Sequence, residues 1–414
     1  MTKVWKDRKA LAWAFYDFAN SAFATTVMAG FFPLFFKQFF CAGADPVIST
    51  ARLGFGNSAA SLAVALFAPF AGAAADACTG SKRPLLWLTV AGAIFTALLS
   101  APGKGQWLTA ITLYGLALFC FAGGNIFYDA LLNDIATKNN RDAVSSLGFS
   151  LGYLGGGLLL LLNVALVTWP ELWGISDSAH AVRISFLSVA LWWLLFSLPL
   201  FMKVNERHVS CRRRITAAAI LKRLAATLSR MRSMKAPVIF LAAYWLYMDG
   251  VSSVIRMAVD YGLSIGIGSR GIVAALLIVQ FTGFPATLVM ARIAEKAGTQ
   301  RTILAGITAY ATITIWAWNM DSLAEFLVLA ATVGIFQGSI QALSRSFFAN
   351  MIPQGSEAEF FGFYNITGRF AAVLGPALIG TVTAISGSNR TGILVLLPLF
   401  AAGGILLMKV RVKA

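Results

Sequence analysis

Residues 13–26 read WAFYDFANSAFATT. The stretch lies within an apolar run over 11–39, long enough to cross a membrane as helix. It nevertheless carries Asp17 and Asn20, which a lipid-facing helix does not tolerate. A carboxylate in such a run asks for an interior to face. The whole chain points the same way. Of its 414 residues, 58 % are hydrophobic and 12 % charged, where soluble domains run near 45–50 % and about 25 %. Its apolar residues come in blocks of about 20, the length that spans the hydrocarbon core. The chain therefore reads as an all-α polytopic membrane protein.

The formal net charge of +16 invites a nucleic-acid reading. The placement of the charge excludes it. Basic residues fall between alternate apolar blocks, at Lys3 to Lys9, Lys82 and Arg83, Lys138 and Arg141, Lys203 to Lys235, Arg292 to Arg301, and Lys409 to Lys413. About 24 of the 33 lie on that one side, the asymmetry of cytoplasmic loops with both termini cytoplasmic. The four cysteines, Cys41, Cys78, Cys120 and Cys211, form no CxxC pair and no disulfide framework. The basic start followed by an apolar stretch resembles a signal peptide, but the stretch is too long and Asp17 interrupts it. It is expected to remain as the first span.

Twelve spans are predicted, over about 11–39, 54–75, 84–101, 107–132, 145–168, 183–202, 237–259, 271–291, 302–319, 323–347, 360–385 and 391–408. Connections are short apart from the basic stretch 203–236. The predicted organisation is a six-helix bundle over 1–202, a cytoplasmic linker over 203–236, and a second bundle over 237–414. Ile220, Leu224, Leu228 and Met231 fall at helical spacing among basic residues. This fits an amphipathic helix on anionic inner-leaflet lipids, and equally a solvated connector. Three pairs of stretches recur in order across the halves: YDFANSA with YMDGVSS, ADACTGSKR with AEKAGTQR, and DIATKNNRDAVSSLG with MIPQGSEAEFFGFYN. Such order implies a duplicated bundle.

Four helices carry a polar stripe, since residues three and four apart share a face. The first has Asp17, Asn20, Ser21 and Thr25. The fourth has Asn125, Asp129 and Asn133, with Tyr128 adjacent. The seventh has Asp249, Ser252, Ser253, Arg256 and Asp260. The tenth has Gln337, Gln341 and Arg345, with Ser344 adjacent. An ionised side chain at mid-membrane costs about 2.5–3.5 kcal/mol, so these groups face a cavity or a partner. Hydrogen-bonded glue between helices is the competing reading, and it weighs most for Ser21, Thr25 and Ser253.

Enzymatic chemistry finds no support. The two histidines, His180 and His208, fall in predicted loops, so no buried nucleophile–base pair or metal cluster is expected. LGYLGGG at 151–157 opens a membrane helix and follows no strand, which excludes a dinucleotide site. Gly148, Gly152 and Gly156 read as a close-packing face. No cofactor and no metal are expected.

With the layout in place, the chain resembles the major facilitator superfamily. Asp76, followed by Gly80, Lys82 and Arg83, is similar to the superfamily's motif between helices 2 and 3, with one extra residue before the glycine. The resemblance implies that Asp76 caps a helix of the other half, with Arg83 in support. Glu295 and Arg301 occupy the matching loop of the second half. WAFYDFANSAFATT, FYDALLNDIA, SLGYLGGGLLLL and IQALSRSFFANMIPQGSEAEFFGFYN resemble the vacuolar-effluxer-like branch, the "unknown major facilitator" family. Its relatives include autophagy-related vacuolar amino-acid effluxers, which implies export of amino acids; the short loops and lack of a targeting sequence lead us to expect a bacterial inner membrane.

The expected mechanism is alternating access about a cavity lined by helices 1, 4, 7 and 10. Asp17 and Asp249 are the first candidates for paired sites that hold a coupling proton or a solute ammonium. Arg345 and Arg256 suit a solute carboxylate or these aspartates. Asn20, Asn125, Asp129, Gln337 and Gln341 complete a set suited to an amino acid or related zwitterion. Arg345 with Asp134 is the expected ion-pair gate. A proton-coupled exporter of drugs, lipids or peptides is the rival reading, favoured by the 32 phenylalanines. A non-transporting receptor would show decayed stripes, and these are intact. A monomer is expected.

Overall fold

The computed structural model describes residues 2–76, 80–205, 226–227, 229–231, 233–370 and 374–411. The described residues are helical, with no strand among them. Helix α1 runs over Arg8–Phe40 and is π-helical over Phe23–Phe31 and Phe36–Phe40. It is followed by α2 (Pro46–Ala74), α3 (Lys82–Leu98), α4 (Trp107–Ile135), α5 (Arg141–Thr168) and α6 (Ser178–Lys203). Then come α7 (Lys235–Ser264), α8 (Ser269–Ala297), α9 (Thr299–Asn319) and α10 (Leu323–Ala349). Helix α11 comprises Glu357–Phe370 and Leu374–Ser386, and α12 comprises Asn389–Ile393 and Leu396–Met408. These match the twelve predicted spans to within several residues at their ends. Among the described residues, nine helices are long and apolar enough to cross a membrane.

Local chemistry sets several boundaries. Asp7 caps α1 by accepting from the backbone N–H of Lys9 at 2.9 Å. Asp177 caps α6 through the N–H of His180 at 2.8 Å. That places His180 in the first turn of α6, exposed, where a loop was expected. Ser322 and Glu325 form a reciprocal capping box at the start of α10. A turn at Gly298, with φ +94°, lets α8 and α9 follow with no intervening loop.

Helices α1 to α6 pack among themselves, with α1 against α5 and α6, and α3 against α4 and α6. Helices α7 to α12 do likewise, with α8 against α10 and α7 against α12. The two sets meet where α2 packs on α11, α5 on α8 and α10, and α4 on α11. The seams are tight. A β-carbon on Gly72 of α2 would lie 2.4 Å from the Ala358 carbonyl oxygen. Glycine there is what lets α2 lie against the start of α11. Within the first set, the predicted glycine face of α5 receives the polar stripe of α1. A β-carbon on Gly148 would stand 2.7 Å from Oδ2 of Asp17, and one on Gly152 2.7 Å from Oγ of Ser21.

The ends of α2, α4, α6, α8, α10 and α12 share one face with the first and last described residues, called the terminal face below. Most of the linker 203–236 lies outside the described residues, so its amphipathic reading does too, as do Cys78, Cys211 and His208. Of its last turns, Thr227 donates to the carboxylate of Glu359, so the end of the linker touches the first turn of α11.

Candidate functional site

Between the two sets of helices lies a cavity of about 480 Å³. Its floor holds Asp17 of α1, Asp129 of α4, Arg345 of α10 and Asn365 of α11. From there it runs away from the terminal face along Thr25, Leu160, Ala258, Ile272 and Phe326. The floor is charged and the upper walls are apolar.

Arg345 organises the floor. Its Nη1 donates to Oδ1 of Asp129 at 3.1 Å and lies 3.5 Å from Oδ2 of Asp17. Its Nε donates to Oγ of Ser145 and its Nη2 to the Ser145 carbonyl oxygen, both at 2.9 Å. The guanidinium also lies against three rings, Phe149 at 4.4 Å, Trp13 at 4.8 Å and Tyr128 at 5.4 Å. A buried cation is tolerated only with such partners. The carboxylates have further donors. Tyr128 donates its hydroxyl proton to Oδ2 of Asp17 at 2.8 Å. Asn365 donates to Oδ2 of Asp129 at 3.0 Å. Trp13 holds Tyr128 in place by stacking at 4.4 Å and by donating Nε1–H to its carbonyl oxygen.

Neutral amides stand beside the charges. Asn20 donates to Oδ1 of Asn125 at 2.8 Å, joining α1 to α4. Gln337 and Gln341 line the cavity on α10, and Oε1 of Gln337 is buried with no partner among the described residues. Gln280 of α8 also lines it. Ser21 and Thr25 line the wall, but Thr25 spends its hydroxyl on the carbonyls of Ser21 and Gly156. The competing reading of these two as helix glue is thus half right.

Two expectations are corrected. Asp249 is buried at 1 % exposure and does not line the cavity. Helix α7 turns that face towards α11 and α12, with Gly250 against Phe400 of α12 and Ser253 against Gly375 of α11. Its described lining residues are Tyr244, Met248, Val254, Ile255 and Ala258, none of them charged. The side chains of Arg256 and Asp260 lie outside the described ones. The partner of Asp17 is therefore Asp129. Secondly, Arg345 pairs with Asp129 and Asp17, not Asp134. Asp134 lies five residues beyond Asp129, well round the helix from the face that meets α10.

A second cluster closes the terminal face. Asp76 accepts from the N–H groups of Ala358 at 3.0 Å and Glu359 at 2.8 Å, capping α11 of the other set as the resemblance implied. Lys82 instead caps α6 of its own set, donating to the Val204 carbonyl oxygen at 2.7 Å. Arg83, Glu295 and Arg301 are exposed. Sequence reasoning missed Arg141, which is buried. Its Nη1 donates to the Ala349 carbonyl oxygen at 3.0 Å and to Oδ1 of Asn350 at 2.6 Å, at the end of α10. The neighbouring Asp142 accepts from Thr299 at 2.5 Å and from Ser346. Asn365, Tyr364, Ser145 and Gln280 were missed as well. Asn365 and Gln280 gave a signal, each a lone amide in an apolar helix.

Two bundles joined by cross-set ion pairs around a central cavity are the architecture of a major facilitator superfamily transporter. Solved structures agree. The chain superposes on the human organic anion transporter MFSD10 (TETRAN) with a TM-score of 0.73 at 16 % identity, covering 97 % of this chain and 99 % of that one. On the transporter FucP in its outward conformation the TM-score is 0.70 at 13 % identity, covering 98 % of each. The family is narrower. The model of the family described as "Vacuole effluxer Atg22 like" matches residues 49–414, and the chain belongs to that family. It is 34 % identical to the uncharacterized MFS-type transporter YxiO of Bacillus subtilis, over 96 % of this chain and 93 % of that one. It is 25 % identical to autophagy-related protein 22-2 of Aspergillus clavatus over 60 % of this chain, spanning 44 % of the fungal protein.

Proposed function

We propose that the chain is a secondary active transporter that moves a small polar solute, an amino acid or related zwitterion, across a bacterial inner membrane. The halves 1–202 and 237–414 rock about the cavity by alternating access. With both termini cytoplasmic, the state described above is closed to the cytoplasm and open outward. The observation that carries the reading is the buried triad Asp17–Arg345–Asp129 at the cavity floor, which joins the halves and faces the solute space. A solute or proton that binds a carboxylate weakens its hold on Arg345, and so couples occupancy to the junction between the halves. The organised amides beside it suit a polar solute of a few heavy atoms.

A proton-coupled exporter of drugs, lipids or peptides is the second reading. The apolar upper walls and a volume of about 480 Å³ favour it. Counterflow in proteoliposomes with a pool of labelled amino acids separates the two. It needs no driving ion, so it tests exchange apart from coupling. Uptake by the unmodified protein, lost in Asp17→Asn, supports the amino-acid reading. No uptake of any pool member by folded protein moves the solute to the second class.

A further inference from the structure

The cavity's charges are unequal in number and in availability. Among the described lining residues, the charged ones are Asp17, Asp129 and Arg345, two negative and one positive. The positive one is committed. Its nitrogens donate to Asp129 and to Ser145 twice over, with Asp17 alongside, and its side chain is 3 % exposed. Rings of Phe149, Trp13 and Tyr128 lie against its plane. The carboxylates are more open, at 12 % and 9 %. Only Oδ2 of Asp17 accepts a hydrogen bond from the described residues, which leaves Oδ1 for an incoming donor.

We infer that the site recognises its solute through an ammonium group, and makes no ionic contact with a solute carboxylate. An ammonium entering the floor meets an unfilled carboxylate oxygen and neutralises the surplus negative charge. A carboxylate entering meets a surplus of its own sign, and a guanidinium each of whose three nitrogens already donates to the protein. Displacing those acceptors would leave Asp129 or Asp17 buried without its cation. The acid end of a zwitterion is left to the neutral amides of Asn125, Gln280, Gln337 and Gln341, which line the walls above. The amine is therefore the group the site requires, and the carboxylate one it tolerates. This inference rests on the transporter reading above and narrows the solute class for the same site.

The test is calorimetric binding to the purified full-length protein, with matched ligand series. One series is phenylalanine, 2-phenylethylamine and 3-phenylpropionate, with aliphatic and polar counterparts alongside. The amine should bind within about tenfold of the amino acid, and the acid about 100-fold more weakly or not at all, as an uncompensated buried charge requires. Asp17→Asn, checked for an unchanged thermal transition, should weaken the amine and the amino acid alike. The inference is overturned if the amino acid and the acid bind while the amine does not. Binding of the amine alone upholds it and sinks the amino-acid reading instead. Binding of nothing from any series by folded protein sinks both.

Discussion

Arg345 and Asp129 stand 3.1 Å apart across the junction of the two halves, separated by 216 residues of chain. The pair is buried, and Asp17 and Ser145 share the same guanidinium. Removing one partner of a buried pair costs about 3–5 kcal/mol, because the other charge is left in place. Arg345→Ala should therefore shift the protein away from the state closed at the terminal face. Cysteines introduced near Ala349 should become more reactive to impermeant reagents applied from that side. Unchanged reactivity in a folded variant would refute the gate. Arg345→Lys should behave almost as badly, since an ammonium cannot serve both carboxylates and Ser145 in the plane of one fork.

Asn365 and Tyr128 offer a graded test of the floor. Each gives one hydrogen bond to a carboxylate, Asn365 to Asp129 and Tyr128 to Asp17. Hydrogen bonds to charged groups are worth about 1.5–3 kcal/mol. Asn365→Ala and Tyr128→Phe should each change apparent solute affinity by about tenfold or more, with expression and thermal transition near normal. Effects of less than twofold in both would mean that the carboxylates are held by Arg345 alone.

Asp76 gives the terminal face a pH dependence. The carboxyl lies beyond the end of α2, and burial pushes its pKa up to about 7, while the N–H groups of Glu359 and Ala358 pull the other way and the charges of Glu359 and Glu357 add to the rise. When the halves part, Asp76 returns to water and to the ordinary carboxylate range. The closed form then binds the extra proton between about pH 4 and pH 7. Its advantage is full below that window, falls as pH rises through it, and is level above about 7. The closed-to-open ratio at the terminal face should thus decline by up to about tenfold per pH unit within the window. Asp76→Asn should flatten the profile. A titration by spin-label distances across α2 and α11 measures it, and a slope of opposite sign would exclude the linkage.

Gly72 tests the seam itself. With 2.4 Å between its added β-carbon and the Ala358 carbonyl oxygen, Gly72→Ala must move α2 or α11. Overpacking of this kind costs about 1–3 kcal/mol. The expectation is a lower melting temperature together with greater access at the terminal face. A normal melting temperature and unaltered access would mean that the seam adjusts freely.

Much of the site was legible because polar residues in an apolar helix stand out. Asp17, Asn20, Asn125, Asp129, Gln337, Gln341 and Arg345 were found by spacing alone, and all line the cavity. Asp249 obeyed the same rule and misled. Its match to Asp17 lies in sequence, but which face of α7 turns inward is decided by the packing of Gly250 on Phe400 and of Ser253 on Gly375. Those are tertiary contacts that no local pattern encodes. Arg141 was overlooked for another reason. A basic residue in a short loop ordinarily reports topology, and only the approach of α10 turns this one into a cross-half contact. Ser145 looked like an ordinary helix serine, and its role depends wholly on where Arg345 arrives.

Among the described residues, the hydrogen bonds between the two halves lie from the cavity floor towards the terminal face, save that of Ser150 to the Phe284 carbonyl at mid-depth. Nothing comparable joins the described residues at the opposite face. To turn over unloaded the carrier must give up this set of bonds. A bound ligand that competes for Asp17 or Asp129 lowers that barrier only while it remains bound. Swapping one solute for another should then run faster than net movement, and the rate-limiting step of the cycle should be the journey home with nothing aboard.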